Sequence, residues 1–86
     1  MEKLKKKGKV AKDQKGKTLL VNEKGEAVAA DQVAIAIWDM CEGNVTSEDV
    51  VNVVAERTSQ DKSRIEKPVE NILEQLEKFG LLEKTG

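Results

Sequence analysis

The sequence of 86 residues is poor in the side chains that most active sites and metal sites use. It has no histidine and a single cysteine, which excludes most metal-binding clusters and most pairs of a nucleophile with a base. One cysteine also excludes an intramolecular disulfide, as is typical of a reducing compartment. No glycine-rich phosphate loop or facing pair of carboxylates is evident. The sequence therefore favours a protein that is not an enzyme and needs no cofactor or metal.

Aromatic residues and long apolar runs are also scarce. Trp38 and Phe79 are the only aromatic residues, so the core must consist mainly of valine, isoleucine, leucine and alanine. No segment has the length and hydropathy of a signal peptide or a membrane span. We therefore expect a cytoplasmic protein without a membrane partner, and a chain of this length forms one domain at most.

Charged residues are plentiful, at 36% of the chain, but they are unevenly distributed. Residues 1–24 have a net charge of +6, whereas residues 25–86 have a net charge of −7. The lysine-rich start predicts a flexible, solvated basic tail over residues 1–8. Residues 9–86 are then predicted to form a single domain.

Two turns with glycine separate three short predicted strands. The segments Asp13-Gln-Lys-Gly16 and Asn22-Glu-Lys-Gly25 have the composition of turns. They predict strands over residues 9–12, 18–22 and 26–30, in the order of an antiparallel meander. The third strand contains mostly alanine, so its surface is expected to be low and accessible.

Two helices are predicted to follow the strands. Asp31 has the side chain of a helix N-cap, and the apolar residues after it recur at helical spacing as far as residue 41. Gly43 is predicted to stop this helix, with Glu-Gly-Asn forming a stop and a turn. Thr46 or Ser47 is predicted to cap the second helix, which ends near residue 58.

The third predicted helix is the longest and the most amphipathic. Asp61 is its expected N-cap and Gly80 its expected end. Pro68 lies inside it and predicts a kink or a displaced first turn. Its apolar stripe has steps of three and four and comprises Ile65, Val69, Ile72, Leu73, Leu76 and Phe79.

Trp38 and Cys41 lie three residues apart on the first predicted helix, on the face that carries its other apolar residues. We interpret Trp38 as a core residue and Cys41 as a small buried apolar side chain. A reactive thiol would need a nearby cation to lower its pKa, but the neighbours Asp39 and Glu42 have the opposite effect.

The order of strands and helices is winged-helix-like, and such domains commonly bind DNA. The third helix argues against this function because it carries an acidic row of Glu66, Glu70, Glu74 and Glu77. Affinity for nucleic acid rests mainly on neutralising phosphates, which an acidic helix would repel. The row is either a solvated face or an edge for a basic partner, and we expect no nucleic-acid partner.

Several segments together resemble the PqqD family of small peptide chaperones in the biosynthesis of peptide-derived natural products. They are GEAVAA from Gly25, VAIAIWDMCEG from Val33, NVTSEDVV from Asn44 and VENILEQLEKFGLL from Val69. The resemblance covers about residues 9–83. It implies an α+β, winged-helix-like fold in which a three-stranded antiparallel sheet is followed by a three-helix bundle.

The resemblance also implies a function and a site. Family members bind the leader of a ribosomally made precursor peptide as an added strand and present it to a modifying enzyme, often a radical S-adenosylmethionine enzyme. Here the added strand would pair with the third strand, in a groove bounded by the first half of the third helix. The implied peptide-binding residues are Glu26, Ala27, Val28, Ala29, Ala30, Lys62, Ile65, Glu66, Val69, Glu70, Ile72 and Leu73.

The residues alone are compatible with more than one role. Ile65, Val69 and Ile72 fit plain core packing equally well, and the charged residues fit solubility. The same open strand edge would suit an assembly adaptor or a weak homodimer, so the expected state is a monomer or a weak homodimer. A winged-helix nucleic-acid-binding module and a small enzyme are two further functions compatible with the sequence.

Overall fold

The structure, a computed structural model, describes residues 2–85. Within that range the chain forms six strands and three helices. In chain order they are β1 (Lys3–Lys6), β2 (Lys9–Lys12), β3 (Thr18–Val21), β4 (Ala27–Ala29), α1 (Gln32–Met40), β5 (Glu42–Val45), α2 (Ser47–Thr58), α3 (Lys62–Lys78) and β6 (Leu82–Thr85).

The strands form two antiparallel sheets. One has the strand order β2-β3-β4 and is the predicted meander; the other has the order β5-β1-β6. The α+β class is confirmed, but the expectation of one sheet followed by three helices was wrong. The second sheet draws its strands from the N-terminus, from the connection between α1 and α2, and from the segment after α3.

The expected solvated tail contains a strand at the centre of the second sheet. Lys3 and Lys5 are exposed, whereas Leu4 is 3% exposed and belongs to the core. This alternation is that of a strand with one face buried. This strand was not predicted from the sequence because it consists of lysines apart from a single leucine, which supplies its buried side chain.

Two further strands, β5 and β6, were not predicted. The segment that we interpreted as a stop and a turn after α1 forms β5, in which Gly43 has φ 98° beside an irregularity in the pairing with β1. Leu81 and Leu82 fold back against the core as expected, and the chain continues into β6.

The helix ends largely follow the capping residues. The Asp31 carboxylate accepts a hydrogen bond from the Ala34 N–H at 2.8 Å, and Thr46 forms a reciprocal capping box with Asp49. Asp61 occupies the N-cap position of α3, but its side chain makes no capping hydrogen bond there.

The third helix is continuous from Lys62 to Lys78, with the exposed Pro68 inside it. Gly80, at φ 75°, ends the helix as predicted. Its N–H donates to the Glu77 carbonyl, and the Leu81 N–H donates to the Leu76 carbonyl at 2.8 Å. This pair of bonds is the Schellman motif, which directs the chain from α3 back into β6.

Trp38 is a core residue, as predicted, with 5% of its surface exposed. Its indole N–H donates to the carbonyl of Lys7 at 3.1 Å and to that of Leu81 at 3.0 Å. One side chain thereby connects α1 to the end of β1 and the start of β6. The other core residues of the described range are aliphatic apart from Cys41.

Membrane spans were sought among the helices of residues 2–85. None of these helices is both long enough and apolar enough to cross a bilayer.

Candidate functional site

The two sheets have four edge strands, and β4 differs from the others. Edge strands usually carry charged side chains or bulges that prevent pairing with another chain. The β2 edge has lysines at both ends, the β6 edge contains Glu83 and Lys84, and β5 contains the irregularity at Gly43. The sequence of β4 is Ala-Val-Ala, with no charge and no irregularity in its pairing. Its outer edge is therefore the least protected of the four.

The pairing of β4 with β3 leaves backbone groups pointing outward. The Asn22 N–H donates to the Glu26 carbonyl at 2.9 Å, and Leu20 lies opposite Val28. Since hydrogen-bonded pairs alternate along an antiparallel ladder, Val28 bonds to β3, while Ala27 and Ala29 direct their N–H and C=O groups away from it. Within residues 2–85 no other strand pairs with them. Two donors and two acceptors are thus available at this edge.

Side chains of β4 divide between the two faces of the sheet. Val28 lies on the same face as the fully buried Leu20 and is half-buried against the core, as is Ala30. Ala27 and Ala29 are exposed on the opposite face. Glu26 is exposed and accepts a hydrogen bond from the Asn22 side chain at 3.1 Å. Residues 26–30 therefore lie together at one edge of the sheet, but their side chains are on both faces and do not form one continuous surface.

The apolar residues of α3 that the resemblance implied are mostly in the core. Ile65, Val69 and Leu73 are 8%, 2% and 7% exposed, so these three side chains serve core packing. Ile72 is half-buried and packs at the edge of the core. An exposed apolar boundary made of all four is therefore absent.

The implied charged residues of α3 face α2 rather than β4. Lys62, Glu66 and Glu70 are exposed and line a groove of about 380 Å³ together with residues at the start of α2. The Lys62 Nζ lies 3.3 Å from a Glu48 carboxylate oxygen. The sequence-predicted residues thus belong to two separate surfaces.

The side of α3 near β4 carries other residues, which the sequence interpretation missed. A groove of about 800 Å³ lies between the turn that joins β3 to β4, including Glu26, and the last turn of α3, including Gln75 and Phe79. Phe79 was placed in the apolar stripe of the third helix, but its side chain is 48% exposed. Its carbonyl accepts a hydrogen bond from the Asn22 side chain at 2.7 Å. Its position directly before the helix-ending Gly80 was the available signal, because a helix end leaves side chains less covered.

The acidic row of α3 borders another groove, of about 510 Å³. Glu70, Glu74 and Glu77 line it with Glu2, Glu48 and the apolar Leu4 and Leu73, and Lys84 contributes the one basic side chain. Among residues 2–85, no three acidic or cysteine side chains are grouped closely enough to hold a metal ion.

Cys41 is fully buried, and its thiol donates to the Ile37 carbonyl with the two atoms 3.2 Å apart. Burial raises the pKa of this thiol from 9.0 to about 11, and the opposing effect of Lys6 is smaller. The interpretation of Cys41 as a buried apolar side chain is confirmed.

We expect the Cys41 thiol to resist a disulfide reagent in the folded protein and to react when urea unfolds it. The free energy of unfolding should also fall as the pH rises from about 9 to about 11, because the unfolded state loses its thiol proton first. Urea titrations across this range measure the effect, and Cys41→Ala, which lacks the thiol, should show a shallower decline. An equal decline in both proteins would contradict the assignment.

A known protein family matches most of the chain. Residues 16–82 match the family described as coenzyme PQQ synthesis protein D (PqqD), a range that includes β3, β4, the three helices and β5 but not β1 or β2. No curated protein matches the chain, and no solved structure does. Because the match covers most of the 86 residues, the chain belongs to the PqqD family.

Proposed function

We propose that this protein binds an extended segment of a ribosomally made precursor peptide as an added strand on β4, and presents it to a modifying enzyme, such as a radical S-adenosylmethionine enzyme. The chain itself performs no catalytic step in this proposal. The observation that supports it best is the unprotected edge of β4, with the outward backbone groups of Ala27 and Ala29. Membership of the PqqD family supports a role in the biosynthesis of coenzyme PQQ or a related peptide-derived product.

Because β4 has only three residues, backbone hydrogen bonds can supply only part of the free energy of peptide binding. Four backbone hydrogen bonds at about 1 kcal/mol each would give a Kd on the order of 1 mM. Tighter binding therefore needs side-chain contacts, and the groove beside Glu26 offers the exposed Phe79 for them. In this proposal the peptide pairs with β4 and places an apolar side chain against Phe79.

The Ala29→Pro variant tests strand addition directly. Proline removes the outward N–H and fills its place with a ring carbon, but it breaks no bond between β3 and β4. We expect the variant to fold and to bind the peptide at least about tenfold more weakly, since the lost bond and the displaced strand together exceed about 1.4 kcal/mol. The probe is a synthetic peptide with the leader sequence of a ribosomally made precursor, titrated while the backbone amide shifts of the protein are followed.

Val10→Pro is the matched control on the opposite edge of the same sheet. Val10 lies directly across from Leu20, and its N–H points outward because Leu19 and Val21 bond to the neighbouring residues of β2. This variant should bind the peptide as the parent does. Equal binding by Ala29→Pro and the parent, or shifts confined to α1 and α2, would contradict strand addition at β4.

A further inference from the structure

The outer face of the β2-β3-β4 sheet is apolar. Two cross-strand rows form it, Lys9–Val21–Ala27 and Ala11–Leu19–Ala29, as the strand register requires. Five of these six side chains are apolar. An antiparallel sheet with one face in water normally carries polar side chains there, so this composition is that of a sheet covered on both faces.

Nothing within residues 2–85 covers this face. Leu20, on the inner face of the same strand, is fully buried in the core. None of the five outer apolar residues belongs to the core or packs against it. Leu19 and Val21 are only half-buried, shielded by the neighbouring strands, and Ala27 and Ala29 are exposed. The sheet therefore has one packed face and one vacant apolar face.

The surroundings of the outer face are basic. Four lysines lie on this face or in the turns at its ends, and none forms an ion pair with another described residue: Lys9, Lys15, Lys17 and Lys24. The acidic residues nearby are already engaged. The Asp13 carboxylate accepts from the backbone N–H groups of Lys15 and Lys17 at 2.8 Å, and Glu23 lies 3.5 Å from Lys7 Nζ.

We infer that the outer face of the β2-β3-β4 sheet binds an amphipathic helix with acidic flanks, supplied by a partner protein. The central ridge of Leu19 and Val21 lies between alanines of the two outer strands, so a helix can approach closely. The outer strands of a three-stranded sheet are about 10 Å apart, which matches the diameter of one helix. The free lysines then lie beside the acidic flanks of that helix.

A second copy of this chain is a poorer occupant. Packing two outer faces together would bring Lys9 and its neighbouring lysines of both copies into proximity, and like charges repel. The inferred site is also distinct from the edge used in the proposed function. The backbone groups of Ala27 and Ala29 would bind the peptide strand at the sheet edge, whereas their methyl groups would contact the helix on the outer face. The protein can therefore bind a strand and a helix at the same time.

The probe for this inference is a synthetic, covalently stapled helix of about three turns, since an unconstrained helix of that length is marginal in water. It carries a stripe of leucine and alanine flanked by glutamates, and the comparison peptide has lysines in place of the glutamates. We expect the acidic helix to bind saturably and to shift the amides of Ala11, Leu19, Val21 and Ala27. Binding should weaken as salt is added, and the lysine-flanked helix should not bind.

Leu19→Glu is the variant that tests the face. It places a carboxylate against the acidic helix and removes the central apolar contact, so affinity should fall at least about tenfold. Trp38 fluorescence reports whether the variant is folded. The variant should bind the precursor peptide within about twofold of the parent, since Leu19 lies on the central strand and not at the β4 edge; this result separates the inference from the proposed function.

Three results would overturn the inference. They are no saturable binding of the acidic helix below about 1 mM, equal binding of the two helices, and equal binding by Leu19→Glu and the parent. Concentration-dependent dimerisation that Leu19→Glu abolishes would also overturn it, because the face would then be occupied by a second copy.

Discussion

Replacing Leu4 with alanine is expected to lower the free energy of unfolding by about 3 kcal/mol. Leu4 is 3% exposed and is the buried side chain of the strand at the centre of the β5-β1-β6 sheet. The loss combines the removed apolar surface with the cavity left in the core. A domain of this size has about 5–15 kcal/mol of stability in total, so the loss is a large part of it.

Urea unfolding followed by Trp38 fluorescence measures this effect, with Lys5→Ala as the matched control. Lys5 is the next residue of the same strand, but its side chain is exposed, and its loss should change stability by no more than about 0.5 kcal/mol. If residues 1–8 were a solvated tail, both substitutions would be neutral. A Leu4→Ala effect no larger than that of Lys5→Ala would therefore contradict the central position of β1.

Trp38→Ala is expected to destabilise the protein by about 4 kcal/mol, the largest effect of any single truncation in this core. The indole is nearly buried and donates to carbonyls of Lys7 and Leu81, which lie in segments far apart in sequence. Its removal leaves a cavity and deprives both carbonyls of this donor. Far-UV circular dichroism during urea unfolding is the appropriate measurement, because the variant lacks the fluorophore.

Trp38→Phe separates packing from hydrogen bonding. Phenylalanine retains much of the ring volume but has no N–H, so the remaining loss, about 1–3 kcal/mol, reports on the two carbonyl contacts. The Lys6 ammonium lies 5.1 Å from the Trp38 ring centre, and a phenylalanine ring at this position retains an aromatic face for it, so this contact contributes little to the difference. A Trp38→Phe variant as stable as the parent would show that the indole N–H bonds do not hold β1 and β6 to α1.

Local signals in the sequence predicted the elements whose partners are near in the chain. The β2-β3-β4 meander and α1 are both confirmed. They could be predicted because the turns of the meander contain glycines, which adopt positive φ there, and because Asp31 caps α1. The β5-β1-β6 sheet was missed for the opposite reason. Its strands are short, and β1 pairs with partners from the middle and the end of the chain, such as Val45 and Thr85. No local pattern reveals such pairing.

The candidate site was predicted in part, for a related physical reason. Small residues after a turn predicted an accessible strand, and this strand lies at an unprotected edge. Helical periodicity, in contrast, shows which residues of α3 share a stripe but not which element each side of the helix faces. The resemblance therefore implied Ile65 and Val69 as groove residues although they are in the core, and Phe79 was placed in the same apolar stripe although it is exposed.

Hydrogen exchange at β4 tests strand addition most directly. In the protein alone, the amides of Ala27 and Ala29 should exchange rapidly and that of Val28 slowly, because only Val28 bonds to β3. Saturation with the precursor peptide should slow exchange at Ala27 and Ala29 and leave α2 unchanged. Slow exchange at both alanines without peptide, or no change with it, would contradict the proposal.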